Sequence, residues 1–356
     1  MNCRLSKFSI LIGLAGIVAA ALVSAQGRTL DIYFIDTEGG QSTLLVSPAG
    51  GTFMIDTGYA GKDTQHPDED VARDAHRIQD VARIAGVTQI DALVATHFHG
   101  DHASGVKHLT EVLPVRRFVD HGPALFEVPT MKQRVGEYSE YWATAFAKGE
   151  HQVAKPGDTI PVAGLDIRVV QALGKPINVP GDSNSYCREM EKLPDSNPED
   201  TASLGVVVQY GMFRFSNFGD LPRNLEIALL CPTNRVGRVD VYETPSHGRA
   251  PSPAVAALMP RIAVFDNGAM KGGGAASLKA FKAMSGFEDV WQLHKNLRGE
   301  ADGNPPDAFI ANLDKVEETM HAAHHLRVSA QADGSFTVFN SRTGATKTYA
   351  ARQARN

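Results

Sequence analysis

Cysteine is scarce: 356 residues hold only Cys3, Cys187 and Cys231, which excludes a fold stapled by several disulfides. There is no surplus of positive charge. Lys and Arg number 35 against 40 Asp and Glu, a formal net charge of −5, so the chain lacks the bulk field of a general nucleic-acid binder. The single long apolar run, Phe8 to Val23, falls short of the about 20 residues of a membrane span. No Gly-x-Ser-x-Gly elbow is present, so serine hydrolysis has no support, and no phosphate-loop pattern, internal repeat or low-complexity linker occurs. What remains is an ordinary globular balance, 43% hydrophobic and 21% charged, long enough for one large or two small domains. With 33 Gly and 19 Pro, turns are frequent and a helical bundle is disfavoured.

The apolar run follows Arg4 and Lys7 and ends at Val23-Ser24-Ala25. This is the pattern of a secretory signal peptide over residues 1–25, cleaved before Gln26. Export implies a periplasmic or secreted protein with no stable membrane anchor after cleavage. Loss of Arg4 and Lys7 leaves a net charge of −7. Cys187 and Cys231 would then lie where a disulfide persists; two buried thiols are the alternative.

Beyond the leader, strand and helix patterns alternate. Strands are expected over residues 30–35, 42–46 and 52–55, with a turn at Pro48-Ala49-Gly50-Gly51. A helix over 68–85 places Val71, Ala75, Ile78 and Ala82 on one stripe and Arg73, Asp74, Arg77 and Asp80 opposite. A buried strand over 90–95, a helix over 105–113 and a strand over 115–119 follow. Residues 122–155 read as a polar-aromatic helical stretch, a cap over a pocket or plain surface packing. Residues 174–200 read as a long loop. A hairpin over 204–217, strands near 240–243, 262–265 and 290–293, and a closing hairpin over 326–339 complete the pattern. Sheets sandwiched by helices in one large domain fit it.

The strongest chemical signal is Thr96-His97-Phe98-His99-Gly100-Asp101-His102. It follows a buried strand and precedes a helix. In extended backbone His97 and His99 point the same way, and Asp101 and His102 follow at the turn. Three imidazoles and a carboxylate this dense are costly as a random buried feature and suit a first-row divalent ion such as zinc.

These residues resemble the His-x-His-x-Asp-His motif of the metallo-β-lactamase superfamily. Asp56-Thr57-Gly58, Phe218-Gly219-Asp220 and Thr244-Pro245-Ser246-His247-Gly248 resemble its other motifs in order and spacing. The first hairpin, Phe34 to Ser42, resembles that of soluble ComEC-type hydrolase domains, with Gln41, Ser246 and Arg249 as departures. The resemblance implies an α/β fold, the αββα sandwich of that superfamily. Its core would span about 29–268 of a single domain over 26–356, with a C-terminal hairpin extension over about 269–356. It implies two divalent ions, zinc or alternatively manganese, held by His97, His99, Asp101, His102, Asp220 and His247. Asp220 would bridge, Asp101 would orient the hydroxide, and Asp56 would fix an imidazole from outside. The family's third histidine of the first site is missing, and Asp200 and His121 are the candidates for its place.

The activity implied is an exported metal-dependent hydrolase using a metal-bound hydroxide on a small ester-like or phosphodiester substrate. A lactone or β-lactam hydrolase is the alternative, and a non-catalytic metal-binding protein with a decayed first site is the third reading. Arg249 is a candidate donor to a substrate anion, Lys271-Gly272-Gly273-Gly274 a candidate anion cradle, and Asn267 a candidate pocket residue. The acidic charge argues against long nucleic acid as a partner. Export carries its own test. The protein recovered from the periplasm or medium should begin at Gln26 by N-terminal sequencing, and material still beginning at Met1 would contradict the leader.

Overall fold

The computed structural model describes residues 29–61, 72–125, 132–187, 197–313 and 323–352. The leader lies outside the described residues, and among these no helix is long and apolar enough to cross a membrane. Chain order begins with β1 (Leu30–Phe34), β2 (Thr43–Val46), β3 (Thr52–Ile55), α1 (Arg73–Ile84), β4 (Ala92–Val94), α2 (Gly100–Ala103), α3 (Val106–Val112), β5 (Arg117–Asp120), α4 (Lys132–Lys148) and β6 (Glu150–Val153). It continues with β7 (Asp166–Ala172), β8 (Lys175–Pro176), β9 (Asp182–Ser183), α5 (Pro198–Ala202), β10 (Gly205–Tyr210), β11 (Phe213–Asn217), α6 (Arg223–Leu230), β12 (Thr233–Asn234), β13 (Val241–Glu243) and β14 (Ile262–Phe265). It closes with α7 (Ala275–Lys282), β15 (Asp289–His294), β16 (Ile310–Asn312), β17 (Leu326–Ala330), β18 (Phe336–Asn340) and β19 (Thr346–Tyr349).

Two mixed sheets stack face to face. The first runs β19-β18-β17-β1-β2-β3-β4-β5-β6 and the second β16-β15-β14-β13-β11-β10-β7-β8. Alternation within each strand divides its side chains between two dry environments. Ile32, Phe34, Phe53, Ile55 and Val94 face Val169, Val206, Val208, Phe215 and Val264 between the sheets. Phe34 and Phe215 meet edge to face across that gap, with ring centroids 6.0 Å apart. Tyr33, Leu44, Met54 and Leu93 point the other way and are covered by α1, α3 and α4. Val207, Tyr242, Ala263 and Phe265 are covered by α6, the 3₁₀ turn Pro253–Leu258 and α7. The four layers form an αββα sandwich.

Two sequence expectations change in the structure. Arg73, Asp74 and Arg77 of α1 are buried, not solvated. Arg77 pairs with Asp36 and Glu38, and Asp74 accepts from Tyr59 N and from Arg73. The helix face opposite the apolar stripe thus anchors the loops that follow β1 and β3. The C-terminal residues are not an appendix: β17 pairs with β1 in antiparallel register, Leu30 against Ala330, while β15 and β16 extend the second sheet in parallel. The hairpin lengthens the first sheet.

Cys187 and Cys231 are joined in a disulfide that closes a 44-residue separation. It ties the segment before α5 to the end of α6, beside the small β9–β12 ladder. Constraining a loop of that length in the unfolded chain contributes about 2–4 kcal/mol. The double variant Cys187→Ser/Cys231→Ser should lose that amount in urea denaturation, and an unchanged midpoint would show that the bridge adds nothing.

Candidate metal centre

Parallel strands deliver their C-terminal ends to one edge of the sandwich. Asp56 follows β3, the 97–102 loop follows β4, and His247 and Asp266 follow β13 and β14. Asp220 follows the antiparallel hairpin strand β11, and Asp200 lies in α5 just before β10. Asn197 caps α5 by accepting from Glu199 N at 3.0 Å, with Pro198 in the first turn. That cap turns Asp200 toward the histidines.

Two groups of ligand-type atoms result. His97, His99, Asp200 and Asp220 form one, and Asp101, His102 and His247 the other; within each, the atoms lie within 4.8 Å of one another. Asp200 Oδ1 is 3.0 Å from His99 Nδ1 and 3.7 Å from His97 Nε2. Asp220 faces the second group as well, 3.4 Å from His102 Nε2 and 3.6 Å from His247 Nε2. The groups adjoin, with the rings of His97 and His102 4.1 Å apart. Between His97 and His99, Phe98 points away and stacks among His121, Tyr138 and Tyr141. Helix α4 therefore buttresses the loop from outside; part of 122–155 lies outside the described residues.

Two observations show that the donor set fits divalent ions. His102 Nε2 and Asp220 Oδ1 are buried without a hydrogen bond, although orphaned polar atoms in an interior are costly. The charges are also complementary. Burial opposes charge on Asp101 and Asp220, but the surrounding imidazoles, joined at Asp101 by Lys271, outweigh it and hold both carboxyls well below their ordinary range. Burial and the neighbouring His102 and His99 push His97 well below an ordinary imidazole, keeping it a neutral donor. On His247 burial is outweighed by Asp220 and Asp266, which push it up to about 9.

Asp56 lies beneath this cluster. Its carboxylate accepts from Thr96 N and Thr96 Oγ1, each at 2.7 Å, and lies 2.8 Å from His102 Nδ1. That contact leaves Nε2 of His102 for the site.

His121 does not join the cluster. Its Nε2 is 3.0 Å from Glu199 Oε1, and the same buried carboxylate accepts from Phe98 N and Leu125 N. Of the two sequence candidates the structure brings in Asp200, because the α5 turn sends Glu199 inward and Asp200 to the histidines. Arg249 turns away, donating to Leu221 O at 2.8 Å and lying 3.6 Å from Glu226. Asn267 is buried and donates to Gly268 O and His294 O. The cation at the site is instead Lys271, whose Nζ pairs with Asp101 and lies 3.5 Å from Tyr59 Oη. The sequence offered Arg249 by its nearness to His247 and Lys271 only as part of the Lys271-Gly272-Gly273-Gly274 cradle.

The glycines after Lys271 serve His247, not an anion. Ser246 and His247 are both left-handed, at φ 53° and 57°, a strained conformation for side-chain-bearing residues. Gly273 N donates to His247 O at 2.8 Å. At Gly272 (φ +73°) an added Cβ would fall 2.0 Å from that carbonyl oxygen. Ser246 Oγ lies 3.4 Å from Asp220 O, joining the two ligand turns. Gln41, also a departure, hydrogen-bonds Glu243, whose carboxyl burial and Asp266 push up to about 8. A neutral amide there avoids a further carboxylate beside that buried pair.

Gly272→Ala should destabilise the protein by at least about 1 kcal/mol more than Gly286→Ala. Gly286 has the same left-handed φ, +74°, with nothing near its missing Cβ. Equal losses in denaturant titrations would show that Gly272 does not seat His247.

Residues 36–187 match the family model described as the metallo-beta-lactamase superfamily. No curated protein matches the chain. Among solved structures, the Cronobacter sakazakii metallo-beta-lactamase with a HARLDQ motif is 14% identical, with 62% of this chain and 80% of that one covered, at a TM-score of 0.33. MEM-A1, a subclass B3 metallo-beta-lactamase from a soil metagenome library, is 12% identical over 64% and 79%, at 0.37. CmlA, a diiron beta-hydroxylase from Streptomyces venezuelae, is 15% identical over 71% and 48%, at 0.34. The stretch similar to the metallo-beta-lactamase superfamily, residues 36–187, carries the His97–His102 loop.

Proposed function

We propose that this protein is an exported metal-dependent hydrolase with a two-ion site, acting on a small ester-like or phosphodiester substrate. The observation that carries the reading is the convergence of seven donors into two adjoining groups with Asp220 facing both. His97, His99 and Asp200 would hold one ion, and Asp101, His102 and His247 the other, with Asp220 between. Two bound divalent ions supply Lewis acidity, which lowers the pKa of water and polarises the bond under attack.

The chain's own residues do the rest. Asp56 fixes the ring of His102, and the seat at Gly272 and Gly273 fixes His247. Asp101, held ionised, is placed to accept a hydrogen bond and orient a donor at the centre of the site. Lys271 keeps a positive charge beside it, because Asp101 outweighs the effect of burial, and can meet negative charge that develops on the substrate. Asp200 beside His97 and His99 weighs against the reading in which the first site has decayed. Lactone or β-lactam hydrolysis would use the same residues, so the pocket and not the donors separates the two chemistries.

The test joins metal analysis to a substrate panel. Protein loaded with zinc or manganese and dialysed should carry two ions per chain; Asp220→Ala should lose most of both, and His102→Ala mainly one. A bis-aryl phosphodiester, a lactone, a β-lactam chromogen and duplex DNA, each with and without chelator, should show chelator-sensitive turnover of at least one small substrate and none of the DNA. Asp56→Asn should lower metal affinity about 10–100-fold. Less than half an ion per chain after loading would contradict the two-ion reading, and silence on every substrate would contradict the hydrolase.

A further inference from the structure

A second concave site lies on the outer face of the second sheet, at the opposite end of the strands from the metal centre. Arg214 is near the start of β11, whereas Asp220 follows its end. The cavity measures about 430 Å³ and is lined by Arg168, Arg214 and Arg235 together with Asp166 and Asp182. It is walled by the segment carrying β9, which is pinned by the β9–β12 ladder and the Cys187–Cys231 bridge.

Its charges are unevenly used. Arg235 donates to Ala228 O and Leu229 O at the end of α6, where a cation satisfies helix carbonyls. Arg214 is fixed by donating to Val236 O at 2.8 Å, and it lies so close to Gly237 that a Cβ there would come 2.6 Å from its guanidinium. Yet Arg214 Nε is buried with no hydrogen-bond partner, and no carboxylate lies within ion-pair distance of Arg214 among the described residues. Arg168 is exposed and has no ion pair there either. Cross-strand register puts Arg168 opposite Val207 and Arg214 opposite Gln209. The two arginines therefore reach over one concave space from strands two apart, roughly 10 Å at ordinary strand spacing. Asp166, which also faces Gln209, and Asp240 act on Arg214 from beyond ion-pair distance and offset only part of the charge of the two arginines, and planar guanidinium forks are shaped for paired oxygens.

We propose that this cleft binds a small molecule bearing a phosphate or carboxylate oxyanion, gripped between Arg168 and Arg214. The site is independent of the metal centre, and the experiment separates them. Calorimetric titration of the oxidised full chain with inorganic phosphate and, separately, succinate would be run with and without chelator at low ionic strength. The expected result is binding that survives chelation and weakens at least tenfold in Arg168→Ala and in Arg214→Gln. Stronger binding of one probe assigns the oxyanion as phosphate or as carboxylate. The Arg168 side chain is exposed and makes no hydrogen bond among the described residues, so Arg168→Ala retains the fold and gives the decisive reading. Binding that is absent, that chelation abolishes, or that Arg168→Ala leaves unchanged would overturn the proposal.

Discussion

A buried carboxylate, Asp56, joins the scaffold to the chemistry. It stands where β3 ends, in a left-handed conformation at φ 57°, and is almost wholly removed from solvent. Burial pushes its carboxyl up even against the donors around it, so the arrangement holds only while Thr96 and His102 both satisfy it. Those contacts tie the end of β3 to the loop after β4. They also orient the imidazole that points Nε2 at Asp101 and Asp220. Removing the charge would free the ring of His102 and leave Thr96 N without its acceptor, so site geometry and local stability share one group.

A second buried network repeats this logic one layer out. Asp36 follows β1 and lies 2.6 Å from His294 Nε2 at the end of β15, so a side-chain contact links the first sheet to the second. Burial raises its carboxyl, but His294 and Arg77 outweigh that and hold it well below the ordinary range. Arg77 also reaches Glu38 at 2.8 Å. The turn 36–41 is thereby held against α1, and Gln41 N in turn donates to Asp101 O at 3.0 Å. Charged residues of α1 thus set the backbone that carries a site carboxylate. Their burial is explained by this work and not by helix amphipathicity.

Legibility in the sequence followed the range of the interaction. His97, His99, Asp101 and His102 were readable because their spacing is local and a strand precedes them. The two-sheet sandwich was readable because each strand's alternation is written in its own residues. Asp220 and His247 came through likeness to a family, since nothing local distinguishes them from other acids and histidines. Asp200 stood ahead of His121 only because it lies near the expected place of the missing ligand. Their difference lies in Glu199, which sits next to one in sequence and bonds the other across 78 positions. Arg249 and Lys271 reverse for the same reason: the residue beside His247 in sequence points to α6, and the one 24 positions later reaches the site because the 268–274 turn folds back on the His247 carbonyl. The C-terminal hairpin read as an extension of the core because sequence order does not show that its partner strand is β1.

The replacement of a third imidazole by Asp200 bears on the proposed ion pair. With Asp220 counted in both groups, each offers two imidazoles and two carboxylates: His97, His99, Asp200 and Asp220 in one, and His102, His247, Asp101 and Asp220 in the other. A histidine in place of Asp200 would make the first group softer than the second and remove one negative charge. With three carboxylates in all, of which Asp220 alone is shared, the donors bring three negative charges against the four positive charges of two divalent ions, and Lys271 adds one more positive charge at the rim. Such a site keeps a net positive character while its donors are as hard as nitrogen and oxygen allow. Zinc tolerates that set, and manganese, which prefers carboxylate to imidazole, tolerates it better than it would a site of three histidines. On the proposed reading, Asp200 therefore widens the choice of metal without weakening the first position, and the positive rim favours a substrate that carries or develops negative charge.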